Sequence, residues 1–210
     1  MADTRRITVT EGLRELKLYD SKIAKAMQCA FVGATKKSLK TVGTTNREDF
    51  IDSAKASYQS VKDLIENRAR LKAAIAQSNA ETKVEIGGVT YTVAQAIEKK
   101  TSIAYEQELL DQLSLQYSEA KHKVINENLK VDNTINQMLS SFLGNVGDKK
   151  ISEAEMEVIS KPYREKNEYE LVDPLGVEKV INDLREKIDA FLAEVDVRLS
   201  VINSITYIEV

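Results

Sequence analysis

The sequence predicts a mainly α-helical fold: a long antiparallel coiled-coil-like bundle with a small β-hairpin and terminal-strand element at one end. Three observations lead there. From Thr92 to about Leu143 the chain runs for about fifty residues without glycine or proline. Read in sevens from Ala96, this stretch places Ala96, Ile103, Leu110, Tyr117, Val124, Val131 and Met138 in one register, so every position of the seam is apolar. The composition agrees, with 30% charged residues, 6% aromatics, no tryptophan and two prolines, as in long helices with solvated outer faces. At ~1.5 Å per residue such a helix would be about 75 Å long, and its seam cannot stay wet. Other helices of the chain, or of neighbouring copies, are expected to lie along it.

The remaining elements follow in chain order, within one elongated domain over residues 1–210. Arg6 to Val9 is a short β-prone run, after which Thr10 is the expected N-cap of a helix with Glu11 in its first turn, ending near Ala30. Leu13, Leu16, Ile23 and Met27 keep its apolar spacing, with Asp20 weakening the middle. Phe31 to Thr45 reads as a basic loop or irregular hairpin carrying Lys36, Lys37 and Lys40. Asn46 caps a second helix to about Ser78, the natural antiparallel partner of the longest one. Val84-Glu85-Ile86 and Val89-Thr90-Tyr91 flank Gly87-Gly88, the signature of a hairpin at about 82–92. After the long helix, about 144–175 is expected to be an irregular excursion, with a short helical piece near Ser152 to Ser160 stopped by Pro162. A last helix begins near Gly176 with a clean stripe from Val177 to Ile202. The β-prone tail Ile205 to Val210 is expected to pair with the hairpin or with another subunit.

Composition also bounds the chemistry. The formal net charge is −3 and the basic residues are dispersed, so no whole-molecule field favours nucleic acid or an anionic membrane. Cys29 is the single cysteine, which leaves no intrachain disulfide and no zinc site with two thiolates from one chain. The amino terminus is polar, and no run approaches eighteen apolar residues, so the chain is expected to be soluble and to carry no export signal of its own.

No constellation in the sequence carries a reaction. Glu119 and His122 have the Glu-x-x-His spacing of carboxylate-bridged di-iron bundles, but those need the motif twice with two further glutamates, and His122 lies off the seam. Cys29 has no base other than that one imidazole to activate it. Gly33-Ala-Thr-Lys-Lys-Ser lacks the first glycine of a phosphate loop. Asp132, Asp148 and Asp173 are isolated, and Glu153, Glu155 and Glu157 spread around a helix axis, which reads as solvation. The last helix mixes both signs of charge on its polar face, favouring a protein partner over lipid. The expectation is therefore no catalytic residue, no metal and no cofactor.

Three stretches carry a resemblance: Ile7-Thr-Val-Thr-Glu-Gly-Leu-Arg-Glu-Leu-Lys17, Gly88-Val-Thr-Tyr-Thr-Val-Ala-Gln-Ala-Ile-Glu-Lys-Lys100 and the end from Val195 to Val210. They are similar to pieces of small helical virion structural proteins of tailed bacteriophages. The layout of helix, short hairpin and Asn-containing tail also resembles, more weakly, the septicolysin-like family. The first resemblance implies a structural component of a phage virion, in tail, baseplate, neck or capsid decoration. It would be made in the host cytoplasm and act by assembly with other virion proteins, as a homo-oligomer and not on a membrane. The candidate partner contacts are Lys36, Lys37, Lys40, Tyr91, Tyr207 and Ile208, the last three from strands whose backbone could extend a neighbour's sheet. Two alternatives belong to other classes. One is an assembly chaperone or nucleic-acid-associated accessory protein using the three lysines, and the other a septicolysin-like membrane-active protein.

Overall fold

A computed structural model describes residues 5–146 and 153–210, with the side chains of 143–153 and 155 undescribed. About three quarters of the described residues are helical, joined only by small antiparallel strand pairs, so the mainly α class holds. The chain forms two compact units, Met1–Ser102 with Ala190–Val210, and Ile103–Asp189.

The first unit opens on β1 (Arg6–Thr8) and α1 (Val9–Ala26). The N-cap is Thr8, two residues before the expected Thr10. Its Oγ1 accepts from the Glu11 N–H at 3.2 Å while Glu11 Oε2 accepts from the Thr8 N–H at 2.8 Å. Thr8 wins because only from there does Glu11 fall at the third helical position and close this reciprocal box. The helix stops at Ala26 rather than near Ala30, and Leu13 and Met27, both placed on the apolar stripe, are exposed. Buried instead are Val9, Gly12, Leu16 and Ile23.

After a tight pair of two-residue strands, β2 (Thr41–Val42) and β3 (Thr45–Asn46), comes α2 (Arg47–Glu81). Asn46 is its N-cap as expected, its Oδ1 accepting from the Glu48 N–H at 2.9 Å. The core contacts of α2 are with α1, antiparallel, and not those expected with the longest helix. Asp20, the polar break in the α1 stripe, meets Arg68 of α2 at 2.5 Å. Nearer the start of α1, a Cβ on Gly12 would lie 3.1 Å from Ile208 Cδ1, 3.2 Å from Ile75 Cδ1 and 3.3 Å from Leu71 Cδ1. A glycine inside the helix lets the two axes approach and lets Ile208 reach between them.

The hairpin is β4 (Lys83–Ile86) and β5 (Val89–Thr92) in the expected register, with Val84 opposite Tyr91 and Ile86 opposite Val89. Gly87 and Gly88 both have positive φ, 57° and 74°, the backbone a two-residue primed turn requires. Its cover comes from α5 (Val177–Ile205): Tyr91 meets Phe191 edge-on at 5.7 Å, and the Gly87 N–H donates to Glu194 Oε2 at 3.3 Å. The longest helix, α3 (Val93–Val146), starts at the capping threonine read from the sequence, Thr92 and Gln95 exchanging side-chain-to-backbone bonds at 2.8 and 3.1 Å. It continues through Gly144, so the break expected there starts later, and residues 147–152 of that expectation, Asp148 among them, lie outside the described residues.

The tail forms β6 (Tyr207–Glu209), which pairs antiparallel with β1, Arg6 opposite Glu209, Ile7 opposite Ile208 and Thr8 opposite Tyr207. The hairpin expected to receive it is not its partner. The reason is local: Ile7 and Ile208 are the only large apolar pair on this ribbon, and the α1–α2 layer offers them Val9, Leu16, Leu71 and Ile75.

In the second unit α4 (Glu153–Asn167) runs through Pro162 instead of stopping there. Arg164 meets Asp132 of α3 at 2.6 Å, which holds the turn after the proline helical. Among the described residues the irregular stretch is therefore 168–176. Asn128 of α3 grips it at two points, Nδ2 donating to the Tyr169 carbonyl at 2.9 Å and Oδ1 accepting from the Tyr169 N–H at 2.8 Å. The Asp173 carboxylate then accepts from the Val177 N–H at 2.8 Å and opens α5.

Candidate interaction surfaces

Seam positions of α3 are covered unevenly. Ala96, Ile103 and Val131 are buried, Leu110, Tyr117 and Val124 are half-buried, and Met138 is 38% exposed. Off the seam, Leu109 and Leu129, on different faces of α3, are each more than half exposed, at 51% and 55%. Scattered apolar exposure is ordinary, and these side chains are spread around the α3 axis.

The three lysines occupy an exposed arm between α1 and α2. From Ala30 to Lys36 the backbone is neither helix nor paired strand, and every residue from Met27 to Lys40 outside the turn of α1 is solvent-facing, with Val32 at 89%. The arm is anchored at both ends. Phe31 closes one side of an apolar groove of about 330 Å3 over Phe50, Ile51, Ala54 and Tyr58. The Arg47 N–H donates to the Lys40 carbonyl at 2.8 Å, and Thr35 Oγ1 donates to the Thr41 carbonyl at 2.7 Å. Among the described residues Lys36, Lys37 and Lys40 have no ion-pair partner, and their ammonium groups stand exposed near the N-terminal end of α2.

The strand candidates divide. Tyr91 is half-buried against Phe191, and Tyr207 is 54% exposed with the Arg6 guanidinium 4.4 Å over its ring. Ile208 is not a surface contact at all: it is 5% exposed, because alternate side chains of a strand take opposite faces and this one faces the α1–α2 core. The β6 backbone is the accessible part. Arg5 and Val210 exchange both backbone bonds, at 2.9 and 3.0 Å, and the Val9 N–H donates to the Thr206 carbonyl at 2.9 Å. Antiparallel alternation then turns the N–H and C=O of Tyr207 and Glu209 away from β1. Alongside lies a polar groove of about 520 Å3, walled by Gln77, Ser78, Glu81 and Thr82 of α2 and by Tyr207 and Glu209. Sequence reasoning missed this groove, since nothing in the tail tells which strand will flank it.

Electrostatic perturbations mark joints rather than chemistry. The Gly87 N–H, then Arg198, hold the Glu194 carboxyl below its ordinary range, and the Thr8 N–H and hydroxyl do the same for Glu11. The Glu178 carboxylate accepts from Tyr117 Oη at 2.9 Å and pushes that phenol up. His122 and Glu119 are both exposed on α3, and among the described residues no three His, Cys, Asp or Glu side chains converge as a metal site would require. Cys29 is exposed, in the arm. Among the described residues no helix is long and apolar enough to cross a membrane. No protein-family model, curated protein or solved structure matches the chain.

Proposed function

We propose that this chain is a structural component of a tailed-bacteriophage particle and works by assembly with neighbouring subunits. One observation carries the assembly part. The seam of α3 is apolar at every heptad position, yet Leu110, Tyr117, Val124 and Met138 keep solvent exposure within a single chain. Fully burying a side chain of this size contributes about 1.5–3 kcal/mol, so a neighbour that covers these partly buried positions gains a fraction of that at each. The virion part rests on the three stretches quoted above, 7–17, 88–100 and 195–210. Two of them enclose joints, the α1 capping box and the cap of α3.

Density-gradient purification of the particles, followed by mass spectrometry of their proteins, tests this reading. The chain is expected to stay with intact particles at a fixed ratio to the major capsid protein through repeated banding. Recovery solely in the unassembled fraction of the lysate counts against it. A second reading has one observation in its favour, the three unpaired lysines of the arm, which fit an accessory protein that contacts nucleic acid. Binding of a DNA duplex that weakens steeply with salt would move it to first place.

A further inference from the structure

The arm and the polar groove lie at opposite ends of one helix. Lys40 is tied to Arg47, the first residue of α2, while the groove is built on Gln77, Ser78 and Glu81. Arg47 and Gln77 are thirty positions apart on α2, about 45 Å along the axis. An arm cannot enter the groove of its own chain. The two are nevertheless complementary. Residues 30–36 of the arm are exposed and in neither helix nor paired strand, and Lys36, Lys37 and Lys40, without an ion pair among the described residues, follow around a turn in which the Leu39 N–H donates to the Lys36 carbonyl at 3.0 Å. The groove offers the unpaired N–H and C=O groups of Tyr207 and Glu209 in an extended strand, with the carboxylates of Glu81 and Glu209 at its sides. The one cation lining the groove, Arg6, already lies over the Tyr207 ring.

We infer that the arm of one copy adds as a third strand to β6 of the next copy, its lysines against Glu81 and Glu209. The inference rests on the assembly reading above and names the contact. Such an addition is head-to-tail: donor and acceptor surfaces differ, so a joined pair still presents one free arm and one free groove. Backbone bonds to the strand edge supply affinity and the charge pairing sets which segment enters.

Disulfide trapping tests it with two full-length chains, both carrying Cys29→Ser, one with Ala34→Cys in the arm and one with Gln77→Cys in the groove. Under mild oxidation a crosslinked heterodimer is expected. Reversing the arm with Lys36→Glu, Lys37→Glu and Lys40→Glu should abolish it. Adding Glu81→Lys and Glu209→Lys to the groove chain should bring it back. Circular dichroism of each variant confirms that the helices remain. No crosslink between the first two chains, or a crosslink indifferent to the charge reversals, overturns the inference. So does an arm that leaves the groove untouched but retains a DNA duplex through the same lysines. A chain absent from purified particles that still crosslinks in this pattern would sink the virion reading alone.

Discussion

Single residues at the joints decide how closely the elements approach. Gly12 stands where a Cβ would press on three methyl groups of Ile208, Ile75 and Leu71, so Gly12→Leu should lower stability by about 1–3 kcal/mol, read from the urea midpoint. The hairpin turn gives a sharper contrast. Gly87 and Gly88 share positive φ, but a Cβ on Gly87 would sit 3.3 Å from the backbone of Ala190, whereas Gly88 faces open space. Gly88→Asn should therefore be close to neutral, Asn being at home in primed turns, and Gly87→Asn clearly destabilising in the same thermal melt. Acid sensitivity follows from Glu194, whose folded pKa lies below its unfolded one. Its contribution is complete above the unfolded carboxylate range and is lost as pH falls through the folded value. Glu194→Gln should flatten the acid limb of Tm against pH, and an unchanged limb would mean that the Gly87 contact does not matter to stability. At this scale the sequence was legible where a residue acts on its own chain neighbours, as in the Asn46 cap, the Thr92 cap and the Gly-Gly turn. It was silent where a residue answers to one far away: nothing near Gly12 foretells Ile208, and Asp20 reads as a flaw in a stripe until Arg68 is opposite it.

Among the elements, existence was easier to read than partnership. Heptad periodicity marks α3 and the stripe marks α5 because burial imposes a period on the helix itself. Which helix covers α2 depends on a close approach at one glycine, and which strand takes the tail depends on a single apolar pair, neither of which is periodic. The proline of α4 shows the same limit. Alone, Pro162 should end a helix, and the anchor that overrides it, Asp132, belongs to another element. Replacing it tests that account: Pro162→Ala restores a backbone donor facing Val158 and should raise Tm, with about 3 kcal/mol as the ceiling. The strap over 168–176 depends on Asn128 in a comparable way. Asn128→Ala removes both bonds to the Tyr169 backbone, and limited proteolysis should then cut between 168 and 176 faster while the helices stay protected.

For the molecule as a whole, the apolar surface left on α3 is the quantity that matters. Leu109→Glu and Leu129→Glu change exposed side chains, so each should alter folding stability by no more than about 0.5 kcal/mol. If a neighbouring subunit covers the face that carries one of these leucines, light scattering across concentration should show association weakened about tenfold or more for that variant. An unchanged mass at matched concentration for both variants would leave these two exposed faces of α3 without a role in assembly. Of the candidate contacts, the lysines could be read from composition because a basic run without acids nearby is visible in one dimension. The β6 edge could not, since its exposure is fixed by which strand takes its other side.

The β1–β6 ribbon also sets a schedule. Ile208 completes a core whose other members, Val9, Leu16, Leu71 and Ile75, all lie in the first 75 residues. A ribosome adding about 5–20 residues each second reaches Ile208 roughly 10–40 s after Ile7. Through that interval α1 and α2 can meet around Gly12, but the space Ile208 fills stays open to water. The nascent chain is thus held short of its final packing until its last strand emerges, and so is the strand edge that β6 offers to others. A copy cannot present that edge before its own core is closed.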